Sequence, residues 1–166
     1  TIDCVCEDLA PPTAVCKNAT VTLPPSGTYE IDEDDVFNAL ATTDDCSDFW
    51  VTNISPASLT CANTGITPVT VTVTDETGKS SSCVANVSLA AGDALPLPWV
   101  DTQIGNGSGS ASYATCTEAF VVNSAGASGF NTDAQHIAYK YMCGDGEIIA
   151  EVASIGNPGW GGIQMR

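Results

Sequence analysis

Thr67-Pro68-Val69-Thr70-Val71-Thr72-Val73-Thr74 is the stretch that decides the fold. Its valines fall on one side of an extended chain and its threonines on the other, the period-two pattern of a half-buried strand. Asp75-Glu76-Thr77-Gly78-Lys79 follows as a hairpin-type turn. Ser80 to Leu89 then returns as the partner strand, with Cys83, Ala85, Val87 and Leu89 on one face.

Working outward, Phe49 to Ile54 reads as a strand that Pro56 breaks. Further upstream, Ala14-Val15-Cys16, Ala19 to Leu23 and Thr28 to Ile31 alternate like strands, with a turn at Pro24-Pro25-Ser26-Gly27. Asp32 to Leu40 is the best helix candidate, capped by Asp32 and with acids suited to a helix start. Strands recurring every 8–12 residues between turn signals predict an all-β sandwich.

The composition divides the chain. Residues 1–10 form an extended arm, 11–90 the sandwich, and 91–98, rich in Ala, Leu and Pro, a linker. In 99–166, Thr117 to Asn123, Gln135 to Tyr141 and Glu147 to Ser154 read as strands, and the Gly/Ser-rich 105–112 as a loop. So few strands leave an apolar face uncovered, so this unit reads as incomplete.

The chain has 166 residues, eight cysteines, four Lys+Arg and 20 Asp+Glu, a formal charge of −16. Cysteines at that density imply disulfides in an oxidising space, and hence a secreted or cell-surface protein. With so few cations, binding to nucleic acid or anionic lipid is disfavoured. No apolar run is long enough to span a bilayer, so direct membrane insertion is not expected. No basic-then-apolar leader opens the sequence, so any signal peptide is expected to have been removed. Asn18, Asn53, Asn86 and Asn106 open N-x-[ST] sequons, candidate glycan acceptors.

Two family resemblances sharpen this reading. Pro11-Pro12-Thr13-Ala14-Val15-Cys16, Thr43-Asp44-Asp45-Cys46, Leu59 to Gly65, and Val69 to Asp75 with Gly78 and Ser82-Cys83 resemble hyalin-repeat-like, immunoglobulin-like modules of Bacteroidota surface proteins. Leu97-Pro98-Trp99, Asp101 to Gly105, Gly109 to Tyr113, Asp133-Ala134, Gly144 to Ile148 and Gly162 to Arg166 resemble the opening of a bacterial concanavalin-like jelly roll. The resemblance implies an Ig-like β-sandwich plus a partial jelly-roll β-sheet. It also implies a tandem spacer or adhesive module without chemistry of its own.

The strand order suggests a staple between Cys16 and Cys83 at the two ends of the sandwich. Cys46 and Cys61 flank the Phe49–Ile54 strand and are expected to join two loops, and Cys116 and Cys143 adjacent strands of the second unit. Each such loop is worth roughly 3–4 kcal/mol on a chain-entropy account. Cys4 and Cys6 are left over, to pair together or to reach a neighbouring subunit or a further segment.

Among chemical readings, calcium stands first as a possible cofactor. Asp44, Asp45, Asp48 and Asp75 put dense carboxylates in loops, and Ca²⁺ takes six to eight oxygens. Zinc is disfavoured with one histidine and no C-x₂-C. That residue, His136, reads as structural. Glu147 and Glu151 would share a strand face, but their motif is sparse for a glycosidase. Trp160 and Tyr113 are candidate stacking platforms for a sugar, while Trp50 and Trp99 read as packing residues. The expectation is a non-enzymatic extracellular module of an adhesin, stalk or fibre, with copies of itself or adjacent modules as partners. The alternative is a carbohydrate-binding accessory module of a secreted polysaccharide-degrading enzyme, with glycans as partners.

Overall fold

A computed structural model describes residues 7–46, 48–125, 134–156 and 162. The fold is all-β. Among the described residues the elements run β1 (Ala19–Thr22), β2 (Thr28–Glu30), the helical turn α1 (Glu33–Val36), β3 (Phe49–Ser55), β4 (Ser58–Thr60), a 3-10 turn (Cys61–Asn63), β5 (Gly65–Asp75) and β6 (Ser80–Ala90). They continue as β7 (Val100–Ile104), β8 (Ser108–Ala114), β9 (Ala119–Ala125) and β10 (Gln135–Tyr139).

The Val/Thr alternation sets the sandwich. β5 pairs antiparallel with β6 and β3, β1 runs parallel to β6, and the four-stranded order is β1-β6-β5-β3. Val69, Val71 and Val73 point inward with Ala85, Val87 and Leu89, all buried, against Leu59 of the small β2–β4 sheet and Val36. Each such side chain contributes on the order of 1.5–3 kcal/mol. On the outer face the hydroxyls join across strands: Thr74 to Ser80 at 2.8 Å, Thr72 to Ser82 at 3.1 Å, Thr52 to Thr74 at 3.0 Å. Trp50, expected to pack inside, stands on that face half exposed, because its cross-strand partner is the outward Thr74.

The helix expected over Asp32–Leu40 is a single turn. Phe37 leaves it in an extended conformation and bridges Cys16, so that Val36 and Phe37, consecutive in sequence, both reach the core. Asp35 Oδ2 accepts from the Asp32 amide (3.1 Å) and the Tyr29 hydroxyl (2.9 Å).

Downstream, β7 pairs with β10 and β8 with β9, both antiparallel. The Gly/Ser-rich stretch read as a loop over 105–112 is largely strand β8. Its small residues are needed there. A Cβ on Gly107 would meet Gln103 Nε2 at 2.7 Å, and one on Gly109 would meet His136 Cγ at 2.6 Å. The strand expected over Glu147–Ser154 is absent; the segment is irregular, with Ile149 and Val152 exposed. Glu147 and Glu151 therefore share no strand face.

The cysteines are bonded differently from expectation. Cys16–Cys83 is present, with a Cα separation of 5.6 Å. Cys61 bonds Cys116 (Cα separation 5.4 Å), so neither Cys46–Cys61 nor Cys116–Cys143 forms. The cause is the return of the chain along the sandwich end. Leu23 N–H donates to Ala90 O, Thr115 N–H to Gly92 O and Tyr113 N–H to Asp93 O. These bonds bring the β8–β9 turn beside the 3-10 turn at Cys61–Asn63. Cys46 is disulfide-bonded, and Cys143 is an exposed free thiol. Cys4 and Cys6 lie outside the described residues.

Candidate functional site

Two polar constellations emerge, one at each half of the chain. The first is built on the β5–β6 turn. Gly78 adopts φ +87°, which closes the turn, and Asp75 Oδ1 accepts from the amides of Thr77 and Lys79, both at 2.9 Å. The arm docks here. Lys79 Nζ donates to Asp8 Oδ1 at 2.7 Å, to Asp8 O at 2.9 Å and to Thr77 Oγ1 at 2.8 Å. The hydrogen bond to Asp8 holds the Lys79 amine above its ordinary range, and the charges of Asp8, Asp75 and Asp45 add to this against desolvation.

Asp8, Asp44 and Asp45 bring one ligand oxygen each within 4.8 Å of one another. Asp44 Oδ2 also accepts from Cys46 N, and Asp45 Oδ2 from Leu9 N. Three carboxylates so placed suit a hard cation, though Lys79 already gives Asp8 a positive partner. Of the residues expected to bind calcium, Asp44 and Asp45 meet in this group while Asp48 and Asp75 lie outside it. Asp48 instead uses its carbonyl to accept from Glu76 N. The sequence hid Asp8 because it lies 36 residues before Asp44.

The second constellation centres on His136 of β10, whose side chain is only 6% exposed. Nε2 lies 2.7 Å from Asp101 Oδ2 and Nδ1 3.2 Å from Gln103 Oε1, both on β7. Gln103 is the register partner of His136, and Asp101 lies two residues away, on the same face. Asp101 Oδ2 also accepts from Ala111 N of β8, and the His136 amide donates to Ser124 Oγ of β9. The hydrogen bond to His136, seconded by that from Ala111, holds the Asp101 carboxyl below its ordinary value. Sequence reading noted His136 alone; nothing local to it signals Asp101, 35 residues earlier.

Tyr113 packs on Phe120 with ring centroids 5.0 Å apart, and Phe120 on Trp99 at 4.7 Å; Lys140 Nζ stands 5.4 Å from the Trp99 ring. Trp160 lies outside the described residues. Asn18, Asn53, Asn86 and Asn106 are all exposed, and Asn18 Oδ1 accepts from Asn86 N at 2.8 Å.

No family model, curated protein or solved structure matches the chain. The functional reading rests on the residues themselves. Charge and covalent bonding are their leading features: Asp8 clamped to the β5–β6 turn, a histidine clamped between two acceptors, and disulfides, Cys16–Cys83 and Cys61–Cys116 among them, that join distant segments.

Proposed function

We propose that this chain is a non-enzymatic structural module of an extracellular adhesin, stalk or fibre, associating head to tail with copies of itself or with adjacent modules. The observation that carries this reading is the Cys61–Cys116 bond. It ties the end of the sandwich to the β8–β9 turn across 55 residues. With Cys16–Cys83 it gives a chain whose distant segments are covalently joined by bonds that persist in oxidising extracellular spaces. Resemblance to hyalin-repeat-like modules points the same way.

Association has a physical route. All seven residues of β9 are exposed, Phe120, Val121 and Val122 among them, and among the described residues its backbone ladders only with β8. An extended segment of a neighbour adds to such an edge through main-chain hydrogen bonds. Contacts of this kind that do not close a ring build filaments. The charge of −16 opposes the approach of copies, so association strengthens as salt screens it. Light scattering and electron microscopy across concentration and salt test the proposal. Salt-promoted, open-ended assemblies are expected; a monodisperse monomer under every condition would overturn it.

The second reading, a carbohydrate-binding accessory module, is favoured by the Trp99–Phe120–Tyr113 aromatic group, in which Phe120 is exposed. Glycan-array binding lost in Phe120→Ala or Trp160→Ala would support it over assembly.

A further inference from the structure

The hydrogen bonds around His136 constrain the assignment of protons. Gln103 Nε2 donates to Ile104 O at 3.1 Å and to Gln135 O at 2.8 Å. Both are carbonyl oxygens, which only accept, so the Gln103 amide cannot be flipped without losing both bonds. Its Oε1 is therefore the atom facing His136 Nδ1, and it too only accepts. On the other side Nε2 faces Asp101 Oδ2, which already takes the Ala111 amide. A neutral imidazole has one N–H. It would leave one ring nitrogen with its lone pair against an acceptor lone pair, in a place where the ring is 6% exposed and water has little access.

We propose that His136 is held as the imidazolium, a proton-dependent clasp that fastens β7, β8, β9 and β10 to one another and loosens when that proton leaves. Each strand has a stake in it: Asp101 and Gln103 from β7, the Ala111 amide and the Gly109 backbone from β8, Ser124 from β9. Asp101 is the charged group that the described structure sets against the ring, and it is 38% exposed. The hydrogen bonds from His136 and from the Ala111 amide hold its carboxyl below the ordinary value. Two acceptors face the ring in the folded chain, so the clasp is expected to hold while the ring carries both protons and to loosen as one leaves. The inference stands whether or not the chain assembles.

His136 is the sole histidine, so every imidazole signal reports on it. Nitrogen-15 NMR of the histidine-labelled protein is expected to show both ring nitrogens protonated at a pH where the urea-unfolded chain is neutral. Denaturant unfolding from about pH 5 to 8 is expected to show the unfolding constant rising about tenfold for each pH unit separating the two midpoints. Asp101→Asn, whose amide can donate to a neutral ring, is expected to flatten that dependence. Equal midpoints in the folded and unfolded chains, or a singly protonated ring in the folded chain near neutrality, would overturn the proposal even if the variant fails to fold.

Discussion

Cys61, in the 3-10 turn after β4, is covalently bonded to Cys116, in the turn between β8 and β9. The bond reaches across the Pro-rich segment 91–98, which composition alone marks as a linker. That segment is approached from both sides by backbone hydrogen bonds, Leu23 N–H to Ala90 O and Tyr113 N–H to Asp93 O. A disulfide and main-chain bonds thus couple the strands before and after it.

Breaking this bond without touching the other is expected to separate the stabilities of the two halves. In a Cys61→Ser/Cys116→Ser variant the released loop, 55 residues in sequence, is worth about 4 kcal/mol on the chain-entropy account. Urea unfolding followed by tryptophan fluorescence (Trp50 before the segment, Trp99 after it) is expected to change from one transition to two. A single unshifted transition would show that the bond contributes nothing to the coupling.

The two faces of the sandwich are expected to answer differently to truncation. Leu59 is fully buried in the core, and Leu59→Ala is expected to cost about 2–5 kcal/mol. Thr70, on the outward side of β5, is exposed, and Thr70→Ala is expected to stay within about 0.5 kcal/mol. Chemical denaturation of the two variants side by side checks the inward assignment of the valine face.

These contrasts explain what was legible. Val69 to Val73 declared their face because alternation is a local signal, and Cys16 and Cys83 were legible as a pair because they sit on an early and on the last strand of the first unit, at its two ends. Cys61 and Cys116 did not, since their meeting depends on backbone bonds at Gly92 and Asp93 that no spacing encodes. β8 was illegible for a different reason. Gly109 within it and Gly107 just before it carry little strand propensity, yet they are what lets His136 and Gln103 lie against the backbone there. Of the carboxylates, Asp44 and Asp45 were visible as a run, whereas Asp8 joins them through long-range contacts, its own with Lys79 and Thr77 and that of Leu9 with Asp45.

Two charged contacts set opposite limits in pH. The Asp101 carboxyl is held below its ordinary value of 3.8, so its contribution is complete above that value and is lost as pH falls through the lower one. The Lys79 amine is held above 10.5, so its contribution is complete below that value and is lost as pH rises past it. Thermal melts are expected to fall at the acid extreme in the wild type and less so in Asp101→Asn. At the alkaline extreme they are expected to fall less in Lys79→Met. Unchanged acid sensitivity in Asp101→Asn would show that other carboxylates govern that limb.

Gly109→Ala tests whether the histidine ring and the β8 backbone are in the close contact the structure describes. Gly109 has no unusual φ, so an alanine there meets a shortage of space rather than backbone strain. Its Cβ would run into the Asn123 carbonyl oxygen and into His136 Cβ and Cγ, at 2.5 and 2.6 Å from the latter two. Neither the paired strand backbone nor the doubly hydrogen-bonded ring yields without losing bonds, so the cost is expected at about 1–3 kcal/mol. Gly156→Ala supplies the control, since nothing lies within 4 Å of the added carbon there and its φ is equally ordinary. Stability measured on both, with the His136 ring resonances recorded in parallel, is expected to show a loss and a displaced imidazole signal in Gly109→Ala alone. Equal stability of the two variants would mean that the ring does not rest on β8.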